Sequence, residues 1–362
     1  MWVYLFNVIT IPIYAFLIKD RKKFVLLVAL QLFLISALRS ITVGVDLDNY
    51  SAGYEYIKDL DFGDLLSRLR LSGLADIYYA FSYENGYAVL NWFSAHMGLS
   101  FHGFMVLCSV INIGAVSLFV YKYSKKPWIS FVIFSTFGFL PFTFGILRQS
   151  LAIAMILFSY MFLDKNKKIY SLLFFLIAFS FHRTAILCLP LLLLAHKKRI
   201  TKKVFSISLC VGVPIVLLLS RLFYSTVVVS VLSIMRREQY IAEGISMNNM
   251  LLLLIIIAVI VMIFFNFQKI KERVESTACY ALLLAVCFSI LSLYSPDLSR
   301  VLPFFNIFLL ILIPDVLEQY KEQKYVILVS AAVYFLLFGF MCYNLNGSAI
   351  VPYVVYEGGL LW

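Results

Sequence analysis

The sequence is poor in charged residues: Asp, Glu, Lys and Arg make up only 14% of its 362 residues. Soluble domains average about a quarter charged residues, so this composition excludes an ordinary soluble fold. Hydrophobic residues account for 63% and gather in runs approaching the roughly twenty residues that cross a bilayer as a helix. Such runs are too long for barrel strands and lack their alternation. We therefore predict an all-α polytopic membrane protein.

Histidine and cysteine are also scarce, with four and six residues. The cysteines lie in apolar runs without CxxC or metal-ligand spacing, which indicates small core residues. The first apolar run has neither a basic region before it nor a small-residue cleavage site, so we expect a retained span. No internal repeat is visible, which counts against a transporter built from repeated helix bundles.

Twelve apolar runs predict about twelve transmembrane helices within a single integral membrane domain over residues 1–362. The runs lie near residues 2–18, 24–38, 101–121, 128–145, 149–163, 169–181, 184–195, 204–223, 250–267, 276–294, 301–317 and 325–342.

Basic residues predict the orientation of these helices. Twenty of the thirty, seventeen of them lysines, fall in alternate loops, at residues 19–23, 122–126, 164–168, 197–203, 269–273 and 318–324. The positive-inside rule places these loops in the cytoplasm and both termini outside. The same bias explains the formal net charge of +11 without a nucleic-acid partner.

The other ten basic residues are nine arginines and Lys58, all on predicted outward loops or outer helix ends. Arginine presents a rigid fork of donors that suits phosphate and carboxylate, unlike the hydrated point charge of lysine. We therefore expect an anionic ligand, bound from outside or from the outer leaflet. The alternative, arginines reaching towards lipid headgroups, suits Arg68 and Arg70 best.

Two predicted outward segments are long enough to bind or cover a substrate, residues 39–100 and 224–249. The first contains an amphipathic stretch expected to lie on the membrane surface. It is also crowded with tyrosines, whose rings and hydroxyls suit sugars. An aromatic belt at the membrane interface is the alternative explanation.

Residues 38–57 form the first long polar interruption and place Asp46 one residue before Asp48. An EF-hand loop is excluded, since Ser51 and Ile57 stand where Gly and Glu are required. Three interpretations stay open: a divalent metal beside a sugar diphosphate, carboxylates that bind or deprotonate a hydroxyl, and a structural turn. We expect no cofactor and treat the metal as the alternative.

Polar residues also stand at the ends of later apolar runs. Arg148, followed by Gln149, enters a span at its outer end, which is costly unless the charge is paired or faces a polar cavity. Between two short spans, His182 could act as a general base or simply accept a hydrogen bond, and Arg183 follows it. Arg300, like Arg148, stands at the outer end of a predicted span.

Four short motifs stand out: R-x-x-T-V-G-x-D-x-x-x-Y at residues 39–50, E-N-G-Y-x-x-L at 84–90, R-Q-S-L-A at 148–152 and F-H-R-T-A at 181–185. Together they resemble the EpsG/Wzy-type family of bacterial O-antigen, capsule and exopolysaccharide polymerases. One departure is Val45-Asp46-Leu47, where family members often read T-D-T. The aspartate is kept, but its hydroxyl neighbour is missing.

The resemblance implies a glycosyltransferase of GT-C-like architecture on the outer face of the bacterial plasma membrane. Its substrate would be a glycan linked to undecaprenyl diphosphate. The enzyme would lie in the lipid bilayer, and a chain-length regulator protein would be its partner. The residues expected to deprotonate the acceptor are His182, Asp46 and Glu84. Those expected to bind substrate are Arg39, Asp48, Tyr50, Arg148, Gln149, Arg183 and Arg300.

Two other functions remain open at this point. A polyprenyl-phosphate-dependent enzyme that adds a single sugar could use Asp46 and Asp48, with or without a metal. A flippase or transporter of lipid-linked glycans would need ionisable groups near the bilayer midplane. The charges of this chain lie instead near the predicted helix ends.

Overall fold

A computed structural model describes residues 2–71, 83–197, 200–223, 247–267, 273–293, 296–319 and 349–357. These ranges are helices joined by turns and short irregular segments, with one isolated antiparallel bridge between Arg39 and Val355. The prediction of an all-α protein is confirmed for this part of the chain. Of the two predicted outward segments, residues 72–82 of the first and 224–246 of the second lie outside the described residues.

The first ten helices are α1 (Trp2–Leu17), α2 (Arg21–Ala37), α3 (Leu47–Lys58), α4 (Phe62–Leu71), α5 (Asn85–His96), α6 (Phe101–Tyr123), α7 (Pro127–Thr136), α8 (Phe139–Gly145), α9 (Leu147–Asp164) and α10 (Lys168–Phe181). Next come a 3-10 helix (Arg183–Cys188), α11 (Leu189–Lys197), α12 (Lys202–Ile207), a π-helical turn (Ser208–Gly212) and α13 (Val213–Phe223). The last are α14 (Met247–Asn266), α15 (Arg273–Ser292), a 3-10 helix (Pro296–Val301), α16 (Leu302–Asn306) and α17 (Leu309–Gln319).

The described residues fall into two compact units. The first lies within Met1–Lys122, Pro127–Ile186 and Ile327–Trp362, and the second within Tyr123–Lys126 and Leu187–Val326. In the first unit, α1 packs on α2 and α7, α3 packs on α5, and α10 packs on both α5 and α9. In the second unit, α15 contacts α11, α13, α14, α16 and α17.

Four helices are long and apolar enough to cross a membrane: Phe101–Tyr123, Leu147–Asp164, Lys202–Leu219 and Val274–Ser292. Two bent pairs raise the number to six if each forms one span, Pro127–Thr136 with Phe139–Gly145 and Leu298–Asn306 with Leu309–Glu318. The chain is thus a polytopic membrane protein, with four to six spans in its described part where twelve were predicted.

The difference arises because several apolar runs form helices shorter than a span. The 14 residues of α10 extend about 21 Å at 1.5 Å per residue, whereas the hydrocarbon core is about 30 Å thick. Other apolar helices below the span length are Trp2–Leu17, Arg183–Ala195 and Leu253–Phe265. The predicted run at residues 325–342 lies outside the described residues.

Buried polar contacts fix how α6 and α9 pack in the first unit. Asn112 of α6 donates a hydrogen bond from Nδ2 to Ser150 Oγ of α9 over 3.0 Å. The ring of Phe119 meets that of Tyr160 edge to face further along the same two helices. A hydrogen bond between helices in an apolar environment contributes about 0.6–2 kcal/mol. The hydrogen bond to Ser150 lies two residues after Arg148 and so fixes the start of α9.

Basic residues at the end of α6 and in the loop after it form ion pairs. Lys122 Nζ lies 3.2 Å from Asp164 Oδ2 at the end of α9, within the first unit. Lys125 Nζ lies 2.5 Å from the buried Glu275 Oε1, within the second unit. Removing Lys125 would leave the buried carboxylate of Glu275 without this counter-charge, so the pair helps to hold the loop against α15.

Candidate active site

The carboxylate of Glu84 joins residues from three of the sequence motifs. Its Oε2 accepts a hydrogen bond from Arg148 Nη1 over 2.6 Å, and its Oε1 lies 2.8 Å from His182 Nδ1. The backbone N–H of Arg183 approaches the same Oε1 at 3.4 Å. The Glu84 side chain is only 11% exposed. A nearly buried carboxylate thus holds one cation and one imidazole.

These three side chains meet because three helix ends meet. Glu84 is the N-cap residue of α5, with extended backbone angles, and Arg148 is the second residue of α9. The chain turns back after α9 so that α10 packs along it, which brings the end of α10 to the start of α9. His182 follows that end as its C-cap residue. Helix ends therefore supply all three groups.

The electrostatic surroundings keep Glu84 ionised. Burial raises the pKa of its carboxyl, but the hydrogen bond from His182 and the charge of Arg148 outweigh burial and lower it to about 2. An ionised carboxylate can only accept, so His182 Nδ1 must carry a proton. Its Nε2 makes no hydrogen bond within the described part of the chain and can accept one.

Tyrosines line one side of this group. Tyr50 of α3 stacks on Tyr83 with ring centroids 5.9 Å apart, and Tyr87 meets both rings edge to face. The guanidinium of Arg148 lies over the Tyr83 ring at 5.2 Å and over the Tyr50 ring at 5.9 Å. Such contacts stabilise a cation that is partly removed from water.

The exposure of each tyrosine determines whether its ring can contact a ligand. Tyr87 is fully buried and Tyr50 is 6% exposed, so neither ring presents a face to a sugar. The Tyr50 hydroxyl instead accepts a long hydrogen bond from Arg148 Nε, at 3.4 Å. Burial raises the pKa of Tyr50, so this hydroxyl stays neutral. Tyr83 is half-buried and is the member of the cluster that can still meet a ligand.

Asp46 and Asp48, both predicted site residues, make no hydrogen bond or ion pair with Glu84, Arg148 or His182 in the described residues. Asp46 and Asp48 are both exposed at the start of α3, and Asp46 adopts a left-handed backbone with φ 65°. In the described part of the chain, no three His, Cys, Asp or Glu side chains lie close enough together to hold a metal ion. Arg300 is exposed in a 3-10 helix of the second unit.

The remaining predicted residues differ in exposure. Arg183 is exposed directly beside His182, whereas Gln149 is buried within α9. Arg39 is fully buried. The structure therefore brings together Glu84, Arg148, His182, Arg183 and Tyr50.

Two tyrosines of the cluster were not predicted as site residues. Tyr83 and Tyr87 flank Glu84 in the sequence, Tyr83 just before the N-cap of α5 and Tyr87 inside this helix. Their position beside Glu84 was the available signal. It could not distinguish them from the other tyrosines of the same segment.

Gly86 allows α5 to approach α10 closely enough for this pairing. A Cβ at this position would lie 2.1 Å from Ser180 Oγ and 2.9 Å from its carbonyl oxygen. We expect Gly86→Ala to destabilise the protein by about 1–3 kcal/mol and to separate Glu84 from His182. Thermal unfolding in detergent would measure the effect.

Gly114→Ala is the matched control, because among the described residues no atom beyond the local backbone of α6 lies within 4 Å of the added Cβ. An alanine inside a helix is favoured over glycine by about 1 kcal/mol, so this variant should unfold at an equal or higher temperature. Equal melting temperatures for the two variants would show that α5 can move without cost.

The fold and the site together define a polytopic helical membrane protein whose charged groups meet at helix ends. The chain belongs to the EpsG family, whose model matches residues 22–357. The resemblance seen in the four motifs is thereby confirmed over nearly the whole chain. No curated protein and no solved structure matches it. Membership of this family indicates a polymerase-like membrane protein of polysaccharide biosynthesis.

Proposed function

We propose that this protein polymerises oligosaccharide repeat units linked to undecaprenyl diphosphate, on the outer face of the bacterial plasma membrane. The observation that carries the proposal is the pairing of Glu84 with both Arg148 and His182. This arrangement places a cation suited to diphosphate beside an imidazole suited to a hydroxyl proton. The bilayer presents both lipid-linked substrates, and a separate protein would regulate chain length.

The reaction joins two lipid-linked glycans. A hydroxyl oxygen of the acceptor forms a bond to the anomeric carbon of the donor, and the bond from that carbon to the diphosphate oxygen breaks. The hydroxyl proton passes to the base, and undecaprenyl diphosphate leaves with the bonding electrons. Catalysis therefore requires a proton acceptor and positive charge at the leaving group.

His182 is the proton acceptor in this proposal. Glu84, with its pKa lowered to about 2, is too weak a base to remove the proton of a hydroxyl. It orients the imidazole through Nδ1 instead, leaving Nε2 to accept the proton, as in other catalytic pairs of histidine and carboxylate. Asp46 has neither a cation nor an imidazole among its hydrogen-bond or ion-pair contacts in the described residues.

Arg148 supplies the positive charge at the leaving diphosphate. Its side chain is 26% exposed, so the guanidinium reaches the surface of the cluster while Glu84 and Tyr50 fix its position. The exposed Arg183 adds a second cation close by. Fixed positive charge can stabilise developing negative charge as a metal ion does, so the proposal requires no cofactor. Tyr83 can pack beneath a sugar ring.

Synthesis from defined substrates tests the function itself. Purified protein in liposomes, given lipid-diphosphate repeat units, should produce a ladder of glycans that differ by one repeat. A single added sugar would instead identify the single-sugar transferase. Movement of the lipid-linked glycan across the bilayer without any new glycosidic bond would identify a flippase.

Replacing His182 by glutamine should lower kcat by about 10²–10⁴-fold, the usual contribution of a general base. The rate of ladder formation measures the effect. His96→Gln is the control, because His96 is an exposed histidine of α5 whose Nδ1 lies 2.9 Å from the Trp92 carbonyl oxygen. Equal rates in the two variants would exclude His182 as the base.

A further inference from the structure

Arg39 is completely buried, with no exposed surface, and is among the largest side chains buried in this way in the described residues. It forms no salt bridge with a carboxylate in the described part of the chain. Burying an arginine without an opposite charge is costly unless other groups replace water around the guanidinium. Its neighbours therefore indicate what this charge does.

The guanidinium is held by polar groups from three helices. Nη1 donates to the carbonyl oxygen of Ser36 at the end of α2 and lies 3.4 Å from Ser109 Oγ of α6. Nη2 donates to the carbonyl oxygen of Phe144 in α8 over 3.1 Å, and the cation lies 4.8 Å from the centroid of that ring. Arg39 thus bridges two backbone carbonyls, a task that requires the fork of arginine.

The Phe144 carbonyl stands at the junction that leads to Arg148. Residue 144 lies four positions before Arg148, and α8 ends at Gly145 because Ile146 leaves helical geometry with φ −104° and ψ 66°. The last carbonyls of a helix need partners from outside that helix. Arg39 provides the partner and so fixes the turn between α8 and α9.

Two glycines allow the backbone of residues 39–45, called the Arg39 segment, to lie directly against this turn. A Cβ on Gly44 would lie 2.8 Å from the Phe144 carbonyl oxygen, and Gly44 has φ +140°, which disfavours other residues. A Cβ on Gly145 would lie 2.6 Å from the backbone nitrogen of Val45. The two backbones are thus in direct contact on both sides of the Arg39 hydrogen bond.

The C-terminal segment supports the Arg39 segment with backbone hydrogen bonds. The N–H of Ser40 donates to the Val354 carbonyl over 2.8 Å, and the N–H of Tyr356 donates to the Leu38 carbonyl over 2.9 Å. The residues on both sides of Arg39 are therefore held by main-chain contacts and cannot easily turn its side chain outwards.

We propose that Arg39 is a positioning residue: it fixes the α8–α9 turn and thereby aims Arg148 at the substrate. A substrate phosphate cannot reach a side chain with no exposed surface, so Arg39 acts through Arg148. The kinetic consequences rest on the proposed function, whereas the structural consequence, a looser turn, does not.

Kinetics of glycan extension can separate positioning from phosphate binding. Arg39→Met should lower kcat by about 100-fold, the cost of misplacing a catalytic group by about 1 Å, with little change in KM for the lipid diphosphate. Arg39→Lys should be nearly as slow, since the compact ammonium of lysine lacks the rigid planar fork that holds both carbonyls in this geometry. In an Arg148→Gln background, Arg39→Met should cause little further loss. Two outcomes would contradict the proposal. One is a double variant in which the losses of the two single variants multiply, and the other is an Arg39→Met variant with a raised KM but an unchanged kcat.

Amide hydrogen exchange supplies a measurement that needs no activity. In Arg39→Met, the amides of residues 143–148 should exchange faster than in the unchanged protein. Arg21→Met is the control, because Arg21 donates in the same way to the carbonyls of Val120 and Tyr121 at the end of α6. It should not alter residues 143–148 or the rate of extension. Unchanged exchange at 143–148 in Arg39→Met would overturn the proposal even if the protein proved not to be a polymerase.

Discussion

Replacing Glu84 by glutamine is expected to slow glycan extension by about 10²-fold, the cost of misplacing a catalytic group by about 1 Å. Glutamine keeps the shape of the side chain but removes its charge, so Arg148 loses its counter-ion. His182 also loses the carboxylate that fixes its tautomer and ring orientation. The rate of ladder formation at saturating substrate measures the effect.

Glu55→Gln provides the matched control for the loss of one carboxylate. Glu55 pairs with Lys58 on α3 over 3.1 Å, but both side chains are about half exposed. Exposed pairs contribute about 0–1 kcal/mol, so this variant should retain its rate within about a factor of two. Similar rates in Glu84→Gln and Glu55→Gln would show that Glu84 merely closes a surface contact.

Replacing Arg148 by glutamine should lower kcat by about 10²–10³-fold, the usual loss when one donor to a developing anion is removed. Arg148→Lys should recover only part of this activity. Lysine keeps the charge but cannot donate to Glu84 and a phosphate from one planar fork. The double variant with Glu84→Gln should be little slower than either single variant, since the two side chains act as a unit.

Lys122→Gln is the control for Arg148, because Lys122 pairs with Asp164 at the opposite end of the same helix α9. Its loss removes one positive charge and one ion pair but leaves the turn before Arg148 unchanged. We expect near-normal rates. A Lys122→Gln variant as slow as Arg148→Gln would mean that α9 is sensitive to any charge removed along it.

Glu84, Arg148 and His182 could be predicted as candidate site residues from the sequence alone, but their pairing could not. Arg148 and His182 stood out because charged residues at the ends of apolar runs require partners. Their common partner, Glu84, lies 64 and 98 residues away in the chain. The packing of α10 against both α9 and α5, the latter permitted by Gly86, brings these residues together.

Arg39 shows a second limit of sequence interpretation. Arginines of the predicted outer face share one residue type and similar apolar surroundings, so nothing in the sequence distinguishes a buried guanidinium from an exposed one. The structure makes that distinction through backbone contacts of Gly44 and Gly145, which place the segment against α8. Arg39 therefore lies inside the unit, while Arg183 is exposed.

The predicted number of spans is not confirmed in the described residues, for a related reason. Apolar composition marks where a helix can enter a membrane, but the length of the helix depends on breaks that composition hides. The run before Arg148 contains such breaks at Phe137-Gly138 and at Ile146. The first break divides the run into α7 and α8, which are bent by 51° and count as one candidate span only if taken together, and the second break ends α8.

A structure of the protein with bound lipid diphosphate would be the most direct measurement of the proposed site. We expect diphosphate oxygens within about 3.2 Å of the Arg148 guanidinium, and an acceptor hydroxyl within similar reach of His182 Nε2. Glu84 should remain bonded to both side chains. A diphosphate bound away from Arg148, with His182 contacting no substrate hydroxyl, would contradict the assignment of this cluster as the catalytic site.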